Sequence, residues 1–266
     1  MLGGRGHNAA MKVVILAGGQ GTRLAEETDL RPKPMVEIGG RPILWHIMKH
    51  YASHGFNEFV IALGYRGEDI KRFFIDYVSL SGDLTVNLGD GSITRLPSEH
   101  LDWTVHLVDT GLATNTGGRV GRLASYLADG PFMLTYGDGV SNVDLMALVK
   151  DHRASGKVAT VTAVRPGSRF GGLSFEDAGH VRFTEKPQIG EGWVSGGFMV
   201  LEPAVLGFID GDDTSFEGHV LEGLSDRGQL GAFRHEGFWQ PMDTIRDVRY
   251  LRGLWDAKTA PWKTWE

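Results

Sequence analysis

Apolar residues come in short runs along this chain, and the runs alternate with stretches of helical spacing. Residues 13–17 are continuously apolar, and 58–62, 104–108, 131–136, 158–164, 193–201 and 230–234 carry similar β-branched and aromatic runs. Runs of that length bounded by glycine, proline or polar residues predict strands, most of them buried on both faces. Between them, 42–53 places Ile43, Leu44, Ile47 and Met48 on one helical face behind Pro42. The segment 66–78 turns Ile70, Phe73, Phe74 and Tyr77 inward, and 119–127, 144–155, 216–227 and 245–255 read as further helices. Strands alternating with helices predict an α/β fold built on a doubly wound parallel sheet, Rossmann-like and mixed once the antiparallel segments below are counted, whose ligands sit outside the carboxyl ends of the strands. Two departures predict small antiparallel excursions: 83–102, with Gly89, Asp90 and Gly91 between two short strands, and 169–173 followed by the turn 177–179 and 181–184.

The first strand ends in bare backbone. After Leu16 and Ala17 come Gly18, Gly19, Gln20, Gly21, Thr22 and Arg23, so the turn can bring successive N–H groups against an anion, above all a phosphate. Arg23 adds a planar, permanently charged fork. No lysine follows Gly21, which excludes the P-loop pattern, and Leu24 stands where the dinucleotide fingerprint needs a third glycine. Behind the loop, Pro32 and Pro34 bias Arg31 and Lys33 towards extended backbone and forbid a helix, so Lys33 is expected on a stiff arm as a second cation.

Three later strand ends carry chemistry. Gly111, Thr114, Thr116, Gly117 and Arg119 form a second glycine and hydroxyl loop suited to a nucleobase edge or a ribose; Thr116 alone also fits a helix cap. The strand ending at Tyr136 runs into Gly137, Asp138 and Gly139, and a carboxylate between glycines there suits a magnesium ligand as well as a plain turn. Glu185 and Lys186 before Pro187 pair an acid for sugar hydroxyls with a base for phosphate, while the strand holding Ser195, Gly196 and Gly197 permits close approach. Asp243 follows Gln240, Pro241 and Met242, where either it or Thr244 could cap the next helix.

Composition narrows the partners. The chain has 266 residues, 41% hydrophobic and 23% charged, enough for one sizeable core. A formal charge of −6 argues against nucleic acid and anionic membrane surfaces, leaving a local basic pocket for a small anionic substrate. There are no cysteines, so thiolate metal sites are excluded, and export features are lacking, which favours the cytoplasm. Residues 1–10 read as a disordered lead-in before a single domain over 11–266. His46, His50 and His54 recur every four residues without a metal-protease pattern and are read as partly exposed or interface histidines. Trp255, Trp262 and Trp265 predict that the tail docks on its own domain or on another subunit.

The order of these motifs, from the glycine loop through Lys33, Asp138, Glu185 and Lys186 to Asp243, resembles the sugar-1-phosphate nucleotidyltransferases over 11–266. Residues 37–48, 110–119, 237–244 and 260–266 are similar to the branch of that family that uses CTP and α-D-glucose 1-phosphate. The resemblance implies formation of CDP-glucose and pyrophosphate, feeding deoxysugar synthesis for bacterial surface polysaccharide, by a homo-oligomer. It implies that 11–140 is mainly the nucleotide half and 141–266 mainly the sugar-phosphate half. Gly18 to Arg23 would wrap the triphosphate, Arg23 and Lys33 would stabilise its charge, Thr114 to Arg119 would hold the cytosine end, and Leu16, Ala17, Gly111 and Gly137 would complete the nucleotide site. Asp138 and Asp243 would bind Mg²⁺. Tyr136, Asp138, Gly172, Glu185, Lys186, Ser195, Gly196 and Gly197 would hold the sugar phosphate. Catalysis would rest on Arg23, Lys33, Asp138 and Asp243. Ser195 stands where that family leads us to expect asparagine. A sibling using UTP or dTTP, and a non-catalytic nucleotide- or sugar-binding subunit, are the alternatives; a nicotinamide dehydrogenase fits least.

Overall fold

Seven strands form the central sheet: β1 (Val13–Leu16), β2 (Glu58–Leu63), β3 (Thr104–Asp109), β4 (Phe132–Tyr136), β5 (Ala159–Val164), β6 (Val194–Leu201) and β7 (Leu230–His235). A computed structural model of the chain describes residues 11–21, 24, 31–80, 82–96, 101–166, 172–175, 181–184 and 192–265. The expected lead-in at 1–10, Thr22 and Arg23, residues 169–171, the turn at 177–179, and Glu185 and Lys186 lie outside the described residues.

The strand order is β7-β5-β6-β4-β1-β2-β3. All strands run parallel except β6, which is antiparallel to both β4 and β5. The order turns back on itself between β1 and β4, the place where a doubly wound sheet opens a crevice. Alternation along β1 sends Val13 and Ile15 into one core and Val14 and Leu16 into the other, so both faces must be covered. On the first face lie helices α1 (Ile43–Ser53), α2 (Gly67–Leu80), α4 (Leu145–Ser155) and α5 (Ile245–Asp256). Helix α3 (Thr116–Arg122), the short helix Ala124–Leu127 and the segment Pro203–Asp226 cover the second. Both antiparallel excursions form: Asp83–Val86 pairs with Ile93–Leu96, and Gly172–Phe175 with Val181–Thr184.

Four local expectations are corrected. Lys33–Met35 is a short 3-10 turn, not extended: proline is tolerated in a first turn, and Met35 N–H donates to Pro32 O at 2.8 Å. Helix α3 starts at Thr116, three residues before the expected start at 119, because Gly117 and Gly118 let it press against the backbone of Thr214 and Asp212. The first half of 216–227 is a π-helix, Phe216–Leu221, whose wider turn buries Phe216, Val220 and Leu221 together. On α2 only Ile70 is fully buried; Phe73, Phe74 and Tyr77 are half-buried.

The tail docks on its own domain. Trp262 is wholly buried, stacks on Phe238 with centroids 5.6 Å apart, and donates from its indole N–H to His46 Nδ1 at 3.4 Å. His46 Nε2 bonds Ile38 O at 2.8 Å, and His50 Nδ1 bonds the Thr264 hydroxyl at 2.9 Å. These two histidines are 0% and 2% exposed rather than partly exposed, because the tail covers them, and His54 is half-buried. Burial pulls His46 down to about 4; burial, then the neighbouring His54, pulls His50 to about 3.

A pH dependence follows. The unfolded chain takes up protons below about pH 6.5, whereas the folded imidazoles stay neutral to about 4 and 3, so their contribution is intact above 6.5 and lost as pH falls. Each histidine contributes a slope of up to about 1.4 kcal/mol per pH unit. The unfolding free energy from urea titration is expected to drop by roughly 2–4 kcal/mol between pH 7.5 and 5. Equal stabilities at the two pH values would contradict the burial of both rings.

Candidate active site

The carboxyl ends of β1, β3 and β4 surround a crevice of about 410 Å³. Its wall contains Leu16, Ala17, Gly18, Gly19 and Gly21 from the first loop, Thr114, Asn115, Thr116 and Arg119 from the second, and Tyr136, Gly137 and Asp138 from the third, with Lys33 and Pro34 between them. The sheet therefore brings together three loops that lie far apart in the chain.

Each glycine of the first loop has its own reason. Gly21 adopts φ +64, the left-handed region. A Cβ on Gly19 would meet nothing within 4 Å, so its backbone faces open crevice. A Cβ on Gly18 would lie 2.3 Å from Arg119 Nη1. Arg119 is buried beneath the loop and donates to the carbonyls of Leu63 (3.0 Å), Gly111 (2.8 Å), Leu112 (3.3 Å) and Gly18 (3.2 Å) and to the Thr110 hydroxyl (2.8 Å). Those bonds hold carbonyls inward at three strand ends, beneath the loop. Burial, then Arg122, lowers the pKa of this guanidinium from its ordinary value.

Gly111 and Gly117 are not in the wall. Gly111 makes a turn at φ +85, its N–H held by Asp109 Oδ1 at 2.9 Å, and Gly117 packs on Thr214. Gln20 is exposed and outside the wall. The cap of α3 is Asn115, whose Oδ1 accepts from Thr116 N–H at 2.8 Å, so the Thr116 hydroxyl is available for another task. It donates to Glu217 Oε2 at 2.8 Å, and the Tyr136 hydroxyl donates to Glu217 Oε1. Burial and the Glu217 charge raise the pKa of Tyr136. Glu217 thus ties two walls of the crevice together. Sequence reading misses it because it lies inside a predicted helix with no motif around it.

The cation and the carboxylates converge at the floor. Lys33 Nζ donates to Asp138 Oδ2 at 2.6 Å and to Asp243 Oδ1 at 2.7 Å, with its side chain only 10% exposed. Asp138 and Asp243 meet because Gly139–Ser141 pairs antiparallel with Trp239–Pro241, and Met242 N–H donates to Asp138 O at 2.8 Å. Helix α5 is capped by Thr244 and Asp247 in a reciprocal pair, which releases Asp243 from capping. Burial alone would lower the pKa of Lys33, but the two carboxylates outweigh it and the pKa is raised. Two carboxylates fixed at one point beside the crevice are a hard-oxygen donor set, which fits a divalent cation that takes its remaining ligands from water and phosphate. Among the described residues no group of three or more His, Asp or Glu could hold a metal alone.

On the strand expected to face the sugar phosphate, Gly197 adopts φ +78, and a Cβ there would lie 2.4 Å from the Tyr136 ring. Gly196 O accepts from Trp239 Nε1 at 2.8 Å, which locks this strand to the one preceding Asp243, and Ser195 is exposed. Gly172 lies on its expected antiparallel strand. No helix among the described residues is long and apolar enough to cross a membrane.

Comparison with known proteins agrees with this geometry. Residues 12–257 match the family model described as nucleotidyl transferase. A glucose-1-phosphate cytidylyltransferase of Salmonella typhi is 51% identical over 258 residues, covering 96% of this chain and all of the relative. A probable glucose-1-phosphate cytidylyltransferase of Bacillus subtilis is 41% identical, again over 96% of this chain and all of the relative. The crystal structure of HddC from Yersinia pseudotuberculosis shares the fold with a TM-score of 0.68 at 22% identity, covering 92% of this chain and 99% of that one. With a glycine-rich first loop, a crevice at the switch point and a full-length match to such relatives, the chain belongs to the nucleotidyl transferase family.

Proposed function

We propose that the protein transfers the cytidylyl group of CTP to α-D-glucose 1-phosphate, giving CDP-glucose and pyrophosphate, with Mg²⁺ at Asp138 and Asp243. The observation that carries this reading is the convergence of Lys33, Asp138 and Asp243 beside the Gly18–Gly21 loop. The full-length similarity to cytidylyltransferases supports the choice of substrates.

In the reaction a phosphate oxygen of the sugar phosphate attacks the α-phosphorus of CTP, the bond to the β-phosphate oxygen breaks in line, and pyrophosphate leaves. No protein nucleophile is needed, so the chain acts by positioning and by neutralising charge. The loop N–H groups of Gly18 to Gly21 cradle the triphosphate, and Lys33 and Arg23 neutralise charge on the α-phosphate and the leaving group. The Thr114–Thr116 wall takes the base, and Ser195 to Gly197, with Glu185 and Lys186, the sugar phosphate. The metal supplies Lewis-acid stabilisation of the phosphates when bound. In the same reading the enzyme is a cytoplasmic homo-oligomer whose product feeds deoxysugar synthesis for surface polysaccharide.

The test is pyrophosphate release with Mg²⁺, glucose 1-phosphate and each nucleoside triphosphate in turn. CTP is expected to exceed UTP and dTTP in kcat/KM by roughly tenfold or more, since a base-edge donor or acceptor left unpaired is penalised. UTP outpacing CTP would sink the assignment.

A further inference from the structure

We propose that Lys33 is the resident cation of the Asp138–Asp243 pair: its ammonium holds the two carboxylates in place and must leave them for a divalent cation to enter, so the protein alone takes up metal weakly. The inference rests on the metal assignment of the proposed function and adds an order to it, in which a polyphosphate in the crevice draws the ammonium away and opens the metal position.

Two observations and the coordination chemistry of Mg²⁺ support the exchange. The ammonium lies 2.6 Å from Asp138 Oδ2 and 2.7 Å from Asp243 Oδ1, so it stands in the gap that a cation shared by both carboxylates would occupy. Mg²⁺ needs its oxygens at about 2.0–2.1 Å in a near-octahedral shell, which leaves no room for an ammonium between the same two oxygens. The carboxylates cannot simply part to hold both cations. Their backbones are tied by the pairing of Gly139–Ser141 with Trp239–Pro241 and by the bond from Met242 N–H to Asp138 O.

Lys33 also has somewhere to go. Its backbone is fixed in a 3-10 turn with Pro34, but the four-carbon stem has rotatable bonds that can swing the ammonium to a new partner, and Lys33 lines the same crevice as Gly18 and Gly19. A phosphate on the loop is therefore an alternative partner for the ammonium. If the lysine holds both carboxylates about nine-tenths of the time, it weakens the apparent metal affinity about tenfold.

Mn²⁺ alone, followed by electron paramagnetic resonance on the full chain without nucleotide, tests this. Lys33→Met is expected to bind Mn²⁺ about tenfold more tightly than wild type, while Lys150→Met, which removes an equal charge from the exposed face of α4, is expected to bind like wild type. Equal or weaker binding by Lys33→Met overturns the proposal, as does an equal gain in both variants. Should Lys33→Met fail to fold, the wild type decides: acetic anhydride labelling of Lys33, read by mass spectrometry, is expected to rise severalfold with saturating Mg²⁺, and unchanged labelling refutes the exchange. Neither measurement uses a nucleotide, so their outcome is separate from that of the pyrophosphate assay.

Discussion

Replacing Asp138 or Asp243 by alanine is expected to lower pyrophosphate release by about a thousandfold while the far-ultraviolet circular dichroism stays that of the wild type. The size of the effect follows from where charge develops. Phosphoryl transfer leaves the protein little covalent work, so a lost electrostatic contact at the α-phosphate costs on the order of 10²–10³ in rate, and a lost metal ligand at least as much. The fold should survive because neither carboxylate is in a core, their side chains being 33% and 19% exposed, and the cap of α5 uses Thr244 and Asp247. Each variant leaves Lys33 one carboxylate partner, so the lysine is not stranded. Near-wild-type turnover in either variant would refute the assignment of the pair to the metal.

The second large effect concerns stability. Trp262→Ala is expected to lower the unfolding free energy by about 3–5 kcal/mol, measured by urea titration at pH 7.5, because a wholly buried indole loses its transfer energy and leaves a cavity. The hole would open between Phe238, Trp255 and His46, which pack on Trp262 from three sides. It would also remove the donor to His46 Nδ1 and let water reach both buried histidines. The variant should therefore show a shallower loss of stability with acid than the wild type, since wetter imidazoles have less depressed pKa values. A change below 1 kcal/mol would mean that the tail does not contribute to the core as its burial indicates.

Much of this site is legible before any coordinates. The runs mark all seven strands of the sheet: the five inner ones as apolar stretches, because a strand covered on both faces needs one, and the two half-exposed edge strands, Thr104–Asp109 and Leu230–His235, as mixed runs with β-branched or aromatic residues. Gly18, Gly19, Lys33, Thr114, Thr116, Asp138 and Asp243 stand out because strand ends rich in glycine or interrupted by charge are unusual places to spend such residues. Other features resist that reading for physical reasons. The start of α3 is hidden by Gly117 and Gly118, which disfavour helices in isolation but are needed for contact with Thr214 and Asp212. Arg119 resembles a ligand residue, whereas its guanidinium is consumed by backbone carbonyls that no local pattern announces. His46 and His50 look amphipathic until the tail covers them.

By itself, the sequence determined the kinds of element, the phosphate-type loop, and which cations and carboxylates were candidates, because strand and turn chemistry depend on a few adjacent residues. Only the tertiary structure decided that Lys33 lies between Asp138 and Asp243, that Glu217 joins Thr116 to Tyr136, and that Trp262 closes over His46. Those meetings depend on strand order and on pairing between segments far apart in the chain, where the free energy comes from burying whole faces of the sheet rather than from any local motif.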